Sequence, residues 1–258
     1  MIHRIGLYDS GVGGLSVARE VRRALPRADM IYVADTCHVP YGGRPFSDIK
    51  AFSAGIGAFL MSRGIDLLII ACNVSSAVAC GDLRNRYPGV PVVSMIEHGA
   101  RAALEGRSVG ILATEGTVKS GAYPAALRAM GFGGEVVQEA CPEFVPLVEG
   151  SLLDTPECRE ACERHCSRVS HTDTVILGCT HYPLMGRRLR DCLPGCRIAD
   201  PAVSVAESLS REESRGSGSL TCYTTGDRDS FEQTAALFVP GISAASVVWR
   251  DGCLEEDD

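Results

Sequence analysis

The chain has 258 residues, 45% hydrophobic and 22% charged, with a formal net charge of −7 and twelve cysteines. That is ample material for one large or two small soluble domains. The negative balance and the lack of a Lys/Arg block exclude nucleic-acid binding by bulk electrostatics, and no apolar run approaches the ~20 residues that span a bilayer.

The N-terminus enters a strand pattern at once, with no signal-peptide pattern, so a cytoplasmic chain is expected. Residues 2–8 read as a strand. Asp9-Ser10-Gly11-Val12-Gly13-Gly14 is a glycine turn, and 15–25 is a helix ended by Pro26. A strand at 30–34 leads into a turn-rich loop, 35–46, and then a helix at 47–63. An apolar strand runs into Cys72, followed by a helix from about Ser75 and a strand at 90–95. A second lobe starts near residue 97. It comprises a strand at 107–113, a helix at 118–130, a strand at 134–138, helices across 143–168 and an apolar strand ending at Cys179. Residues 197–201 form an exit strand. Residues 211–219 are polar and Gly/Ser-rich, which predicts a mobile loop. A strand at 220–227 follows. The last helix and strand are expected to pack back on the first lobe, and the acidic tail, 255–258, is expected to be disordered.

This alternation predicts an α/β fold of two similar open parallel-sheet lobes, with the active site in the cleft between them. The first lobe is assigned residues 1–96 plus 206–258, the second 97–205. The halves look related by an old duplication. Gly6 to Gly110 is an offset of 104 residues, and Cys72 to Cys179 an offset of 107.

Cys72 and Cys179 stand out by context, since free cysteines in a reducing compartment are commonly small buried hydrophobes. Each closes a short apolar run and opens a polar turn, and open α/β sheets bind ligands beyond the carboxyl ends of their strands. Two thiols at two such ends suggest an acid/base pair facing one substrate. Asp9 in the glycine turn argues against a phosphate and suits an ammonium group, or a role orienting an acid/base neighbour. The bland reading of that segment is a tight strand–helix turn. Asn73 could hold a carboxylate or an amino group. Ser75 or Ser76 is expected to cap a helix. Thr180 offers a hydroxyl, and His181 lies two residues from a thiol whose proton affinity a nearby imidazolium lowers. Cys158, Cys162 and Cys166 form a stripe on one helix. Three successive turns span ~12 Å, too far for one ion, so they read as a buried face, as do Cys192 and Cys196. No metal site is predicted.

The segments 9–17, Asp35 with Pro40-Tyr41-Gly42, Ala71-Cys72-Asn73 and Gly178-Cys179-Thr180-His181-Tyr182-Pro183-Leu184 together resemble glutamate racemase, of the Asp/Glu racemase superfamily. Thr114-Glu115-Gly116-Thr117-Val118, the stretch 144–149 and Tyr223-Thr224-Thr225-Gly226-Asp227 extend the resemblance from residue 5 to about 240. It implies an isomerase with no cofactor, making D-glutamate for peptidoglycan, with L- and D-glutamate as ligands and a homodimer as a possible assembly. It implies that Cys72 and Cys179 are the acid/base pair, supported by Asp9 and His181 respectively. Asp9, Ser10, Tyr41, Gly42, Asn73, Val74, Thr180 and His181 would line the substrate, with Asp35, Glu149 and Thr117 in supporting positions. The family usually has Thr where this chain has Val74, which keeps the backbone N–H but lacks the hydroxyl.

The chemistry agrees independently. Racemisation without an electron sink needs one thiolate as base and one thiol as acid across the substrate. Three rival readings stand beside this one: an aspartate racemase, a non-catalytic dicarboxylate binder and a thiol redox protein. The last lacks a C-x-x-C motif.

Overall fold

The computed structural model describes residues 1–257. Strand β1 (Arg4–Asp9), buried beyond its first residue, runs through the glycine turn into α1 (Leu15–Ala24) and β2 (Asp29–Ala34). Two 3-10 turns, Thr36–His38 and Tyr41–Gly43, precede α2 (Phe46–Ser62), β3 (Leu67–Ile70), α3 (Asn73–Arg86), β4 (Val92–Ser94) and α4 (Met95–Ala103). Next come β5 (Ser108–Ala113), α5 (Glu115–Ser120), α6 (Ala122–Ala129), β6 (Glu135–Ala140), α7 (Phe144–Glu149) and α8 (Pro156–Val169). They are followed by β7 (Thr174–Gly178), a 3-10 turn at Tyr182–Met185, α9 (Gly186–Cys192), β8 (Arg197–Ala199) and α10 (Pro201–Leu209). The chain ends with β9 (Leu220–Thr224), α11 (Arg228–Ala235), β10 (Ala244–Arg250) and β11 (Cys253–Glu256).

The strands form two sheets, one of seven in the order β11-β10-β9-β2-β1-β3-β4 and one of four in the order β6-β5-β7-β8. Every pairing is parallel except β10 with β11. The segments β2-β1-β3-β4 and β6-β5-β7-β8 repeat one winding, as the spacing of the two halves implied. Gly6 and Gly110 occupy matching places in β1 and β5. A methyl group at Gly6 would lie 2.7 Å from Ile65, and one at Gly110 2.7 Å from Val169. Each glycine lets the segment entering the neighbouring strand of the sheet, β3 or β7, close on it. Both β3 and β7 are buried along their whole length, as continuous apolar runs in a covered parallel sheet should be.

Helix α10 packs on both α1 and α4, and one apolar core runs from Leu15 and Val17 through Phe144 to Met185, joining the lobes. Among the described residues, no helix is long and apolar enough to cross a membrane.

Four local expectations fail, each for a physical reason. The helix expected at 118–130 is two helices, because Gly121 adopts a left-handed conformation (φ 63°) between α5 and α6. Neither Ser75 nor Ser76 caps α3. Cys72 holds that position with extended backbone, while Ser76 Oγ donates to the Ile70 carbonyl (2.7 Å) and accepts from Met95 N–H (3.0 Å). The loop expected to be mobile is tethered, since Ser217 and Ser219 each donate both N–H and O–H to Asp29 Oδ1. The acidic tail is ordered as far as it is described. Glu255 and Glu256 belong to β11, with Glu256 held by Arg63 and Tyr223 (2.6 and 3.0 Å), and Asp258 lies outside the described residues.

Candidate active site

The carboxyl ends of the central strands of both sheets open onto one cavity of about 470 Å³. Asp9 ends β1, and Cys72 follows β3 at the head of α3. Cys179, Thr180 and His181 follow β7. Cys72 and Cys179 both line the cavity and are 6% and 8% exposed, so both thiols are largely removed from water. Ser10, Tyr41, Gly42, Asn73 and Val74 also line it.

Around Cys72 the environment is dry and anionic. Burial pushes its thiol up to about 12; the Asp9 charge adds to the rise and Ser75 opposes it. Asp9 itself is buried, its Oδ1 accepting from Gly11 N–H (3.0 Å) and its Oδ2 from Thr180 O–H (3.3 Å). Burial raises its carboxyl above the ordinary range, against the opposing charge of His181 and these hydrogen bonds. The first N–H groups of α3 have no partner within the helix, so its N-terminus, at Asn73 and Val74, presents donors to the cavity. Asn73 Oδ1 accepts from Tyr123 O–H of the other lobe (2.6 Å), which leaves the amide NH₂ free to donate.

Around Cys179 the environment is cationic. His181 Nδ1 lies 3.8 Å from Cys179 Sγ, and Nε2 lies 2.9 Å from Glu149 Oε1. Burial works against the imidazolium, but the Cys179 thiol, the Glu149 carboxylate and the Asp9 charge outweigh it and push the group up to about 10.

Gly13 makes this meeting of lobes possible. A methyl group there would collide with both the Thr180 and His181 side chains. Beside it, Ser16 Oγ donates to the Thr180 carbonyl across the lobe interface (2.9 Å), a contact that no local sequence signal announces.

Asp35 and Thr117 do not line the cavity. Asp35 is fully buried behind Tyr41, whose O–H donates to its Oδ2 (2.5 Å). Its Oδ1 accepts from Thr225 O–H (2.9 Å) and Trp249 N–H (2.8 Å). Thr117 is buried with its hydroxyl 3.1 Å from that of Thr114, and Thr114 does line the cavity. Sequence reasoning missed Thr114, Ser16 and Trp249 as parts of this arrangement, although Thr114 and Thr225 stand inside the motifs it singled out. Cys158, Cys162 and Cys166 are buried along one face of α8, away from the cavity.

Residues 14–209 match the Asp/Glu/Hydantoin racemase family. A glutamate racemase of Aquifex aeolicus is 39% identical over 241 residues, covering 92% of this chain and 94% of that protein. The crystal structure of glutamate racemase from Thermus thermophilus in complex with beta-chloro-D-alanine superposes with a TM-score of 0.85 at 35% identity, covering 95% of this chain and 97% of that one. The glutamate racemase of Francisella tularensis in complex with D-glutamate gives a TM-score of 0.85 at 26% identity, covering 95% of each chain. A shared two-lobe fold, a cavity between the lobes and relatives matched over nearly their whole length lead to one assignment: the chain belongs to the glutamate racemase family, among the Asp/Glu/hydantoin racemases, and is an isomerase.

Proposed function

We propose that the chain interconverts L- and D-glutamate by proton transfer between two thiols, without pyridoxal phosphate. One observation carries this reading: Cys72 from one lobe and Cys179 from the other line a single buried cavity, each beside an ionisable partner of opposite kind. Cys179 Sγ, as thiolate, takes the Cα proton of L-glutamate. The electron pair left on Cα then takes the proton of the Cys72 thiol, which becomes the thiolate. From D-glutamate the roles reverse. His181, fixed by Glu149, supports negative charge at Cys179. Asp9 stands ready to hold or return a proton at Cys72. Burial of the reacting groups supplies positioning and a low dielectric, which give fixed charges and dipoles their effect on a developing carbanion.

Glutamate is the substrate favoured by the names of the relatives and by the D-glutamate complex of the Francisella protein. The α3 N-terminus at Asn73 and Val74 and the turn at Thr180 and His181 offer donors to its carboxylates, and Ser10, Tyr41 and Gly42 complete the enclosure. The lobes divide as residues 1–96 with 206–258, and 97–205, a cut that passes through α4 and α10 where they pack together. Supply of D-glutamate for peptidoglycan in the cytoplasm follows from this reading.

The test is incubation with each enantiomer of glutamate and of aspartate in D₂O, followed by circular dichroism and proton NMR. Loss of optical activity with Cα deuteration of glutamate, with no added pyridoxal phosphate, is the expected result. A higher kcat/KM for aspartate would overturn the substrate, and full activity after Cys72→Ala or Cys179→Ala would overturn the mechanism.

A further inference from the structure

Asp35, Cys37 and His38 lie on the turn between β2 and Tyr41, outside the catalytic cavity. No metal site is predicted from the sequence. The fold nevertheless folds the three side chains onto one point. Cys37 Sγ lies 3.4 Å from His38 Nδ1 and 3.6 Å from Asp35 Oδ1, and Nδ1 lies 3.1 Å from the same Oδ1. One ligand atom from each lies within 4.8 Å of the other two. A tetrahedral zinc ion, with bonds of about 2.3 Å to sulfur and about 2.0–2.1 Å to nitrogen and oxygen, sets its ligand atoms about 3.3–3.6 Å apart. The two separations to sulfur already fall in that range, and the nitrogen–oxygen pair has only to open by about 0.2 Å.

The donor set is equally selective. One sulfur, one imidazole nitrogen and one carboxylate oxygen suit Zn²⁺ and neighbouring late transition metals, and do not suit Mg²⁺ or Ca²⁺. Cys37 is exposed, which gives an ion a way in and leaves a fourth position to water. Tyr41 O–H orients the buried carboxylate through its other oxygen, Oδ2, while Thr225 and Trp249 donate to Oδ1 and would share that oxygen with the ion.

We propose that Asp35, Cys37 and His38 form a binding site for Zn²⁺ or a similar late transition-metal ion. Binding sends the Cys37 thiol proton to solvent. Any proton on His38 Nδ1 is likewise lost to solvent, and the bound ring is neutral with its proton on Nε2. The ion takes the place of the hydrogen bond between His38 and Asp35 and fastens the loop that carries Tyr41 and Gly42 to the end of β2. It does not enter the racemisation chemistry.

Trp249 is the chain's single tryptophan, donates to Asp35 Oδ1, and has its ring centroid 5.5 Å from that of His38, so its fluorescence reports on this site. The experiment titrates chelator-treated, reduced full-length protein with Zn²⁺ and then with Co²⁺. Expected are a saturable Trp249 response at one equivalent of Zn²⁺ and a sulfur-to-cobalt charge-transfer band with Co²⁺. Cys37→Ser and His38→Asn, with folding checked by circular dichroism, should each weaken binding at least about 100-fold and abolish both signals. Absence of a Trp249 response in the wild-type chain would overturn the site, whatever metal the other cysteines take up. So would wild-type affinity and response in either variant.

Discussion

The two lobes present the same backbone device, a fully buried strand ending in a cysteine, and surround it with opposite electrostatics. Cys72 heads a helix of 14 residues, whose N-terminus favours negative charge. Yet its thiol is pushed up to about 12, because burial and the Asp9 carboxylate outweigh the helix. Cys179 is followed only by a 3-10 turn of four residues, and there the positive group is a side chain, His181, held by Glu149. The thiol that heads a long helix has a carboxylate as its neighbour, and the thiol followed by a short turn has an imidazole. The repeated winding presents two like thiols. On the proposed mechanism, such unlike neighbours are what proton transfer between two thiols across a substrate requires.

Deleting either thiol breaks the comparison outright. Cys72→Ala and Cys179→Ala should each lower racemisation by about 10³-fold or more, within the range that a positioned acid or base supplies. Polarimetry with each enantiomer measures it, and survival of either variant at near wild-type rate contradicts the pairing.

Replacing the neighbours sharpens it. L- and D-glutamate have equal free energy, so net kcat/KM must match in the two directions for every variant. The asymmetry therefore shows only in deuterium washed into recovered substrate from D₂O. Asp9→Asn should depress wash-in mainly for D-glutamate and His181→Asn mainly for L-glutamate, each by about 10²-fold. Equal loss for both enantiomers in both variants would show that the neighbours do not divide the work by face.

The pH profile tests His181 more gently. Its imidazolium is held up to about 10, above the ordinary value near 6.5, so it stays charged through neutral pH. Activity should fall about tenfold per pH unit above about 10, as that charge is lost. Linkage has the same sign. Because the folded-state value is raised, the stability it contributes is fully present below about 6.5 and is lost as pH rises toward about 10. Thermal unfolding of the wild type and of His181→Asn across that window should show the wild-type advantage shrinking.

The smallest effect is expected at Val74, which lines the cavity beside Cys72. Val74→Thr should lower KM for glutamate by up to about tenfold, the equivalent of one modest hydrogen bond of ~1.4 kcal/mol. Steady-state kinetics on both glutamate and aspartate distinguish recovered affinity from a change in preferred substrate.

Much of this arrangement is legible in the sequence, because the relevant signals are local. The runs ending at Cys72 and Cys179 are apolar at every position, and that pattern alone marks covered parallel strands and the sheet ends where ligands bind. Local rules also misled where one residue or one distant partner decides. Gly121 breaks a helix through its own backbone conformation, and the tail containing Glu255 and Glu256 becomes a strand only because β10 lies beside it. The tertiary structure alone decided which turns meet. Gly13 lies against Thr180 and His181, Asn73 against Tyr123, and Asp35 against Trp249, 214 residues away. The physical reason is that periodicity and turn chemistry act over a few residues, whereas the charge on a thiol depends on whatever the closed fold brings within a few ångströms of it. The sequence by itself determined two strand-end thiols and set His181 two residues from one of them, whereas the pairing of β1 with β3 brought Asp9 to the other, and only the packing of one lobe on the other opened both thiols onto one cavity.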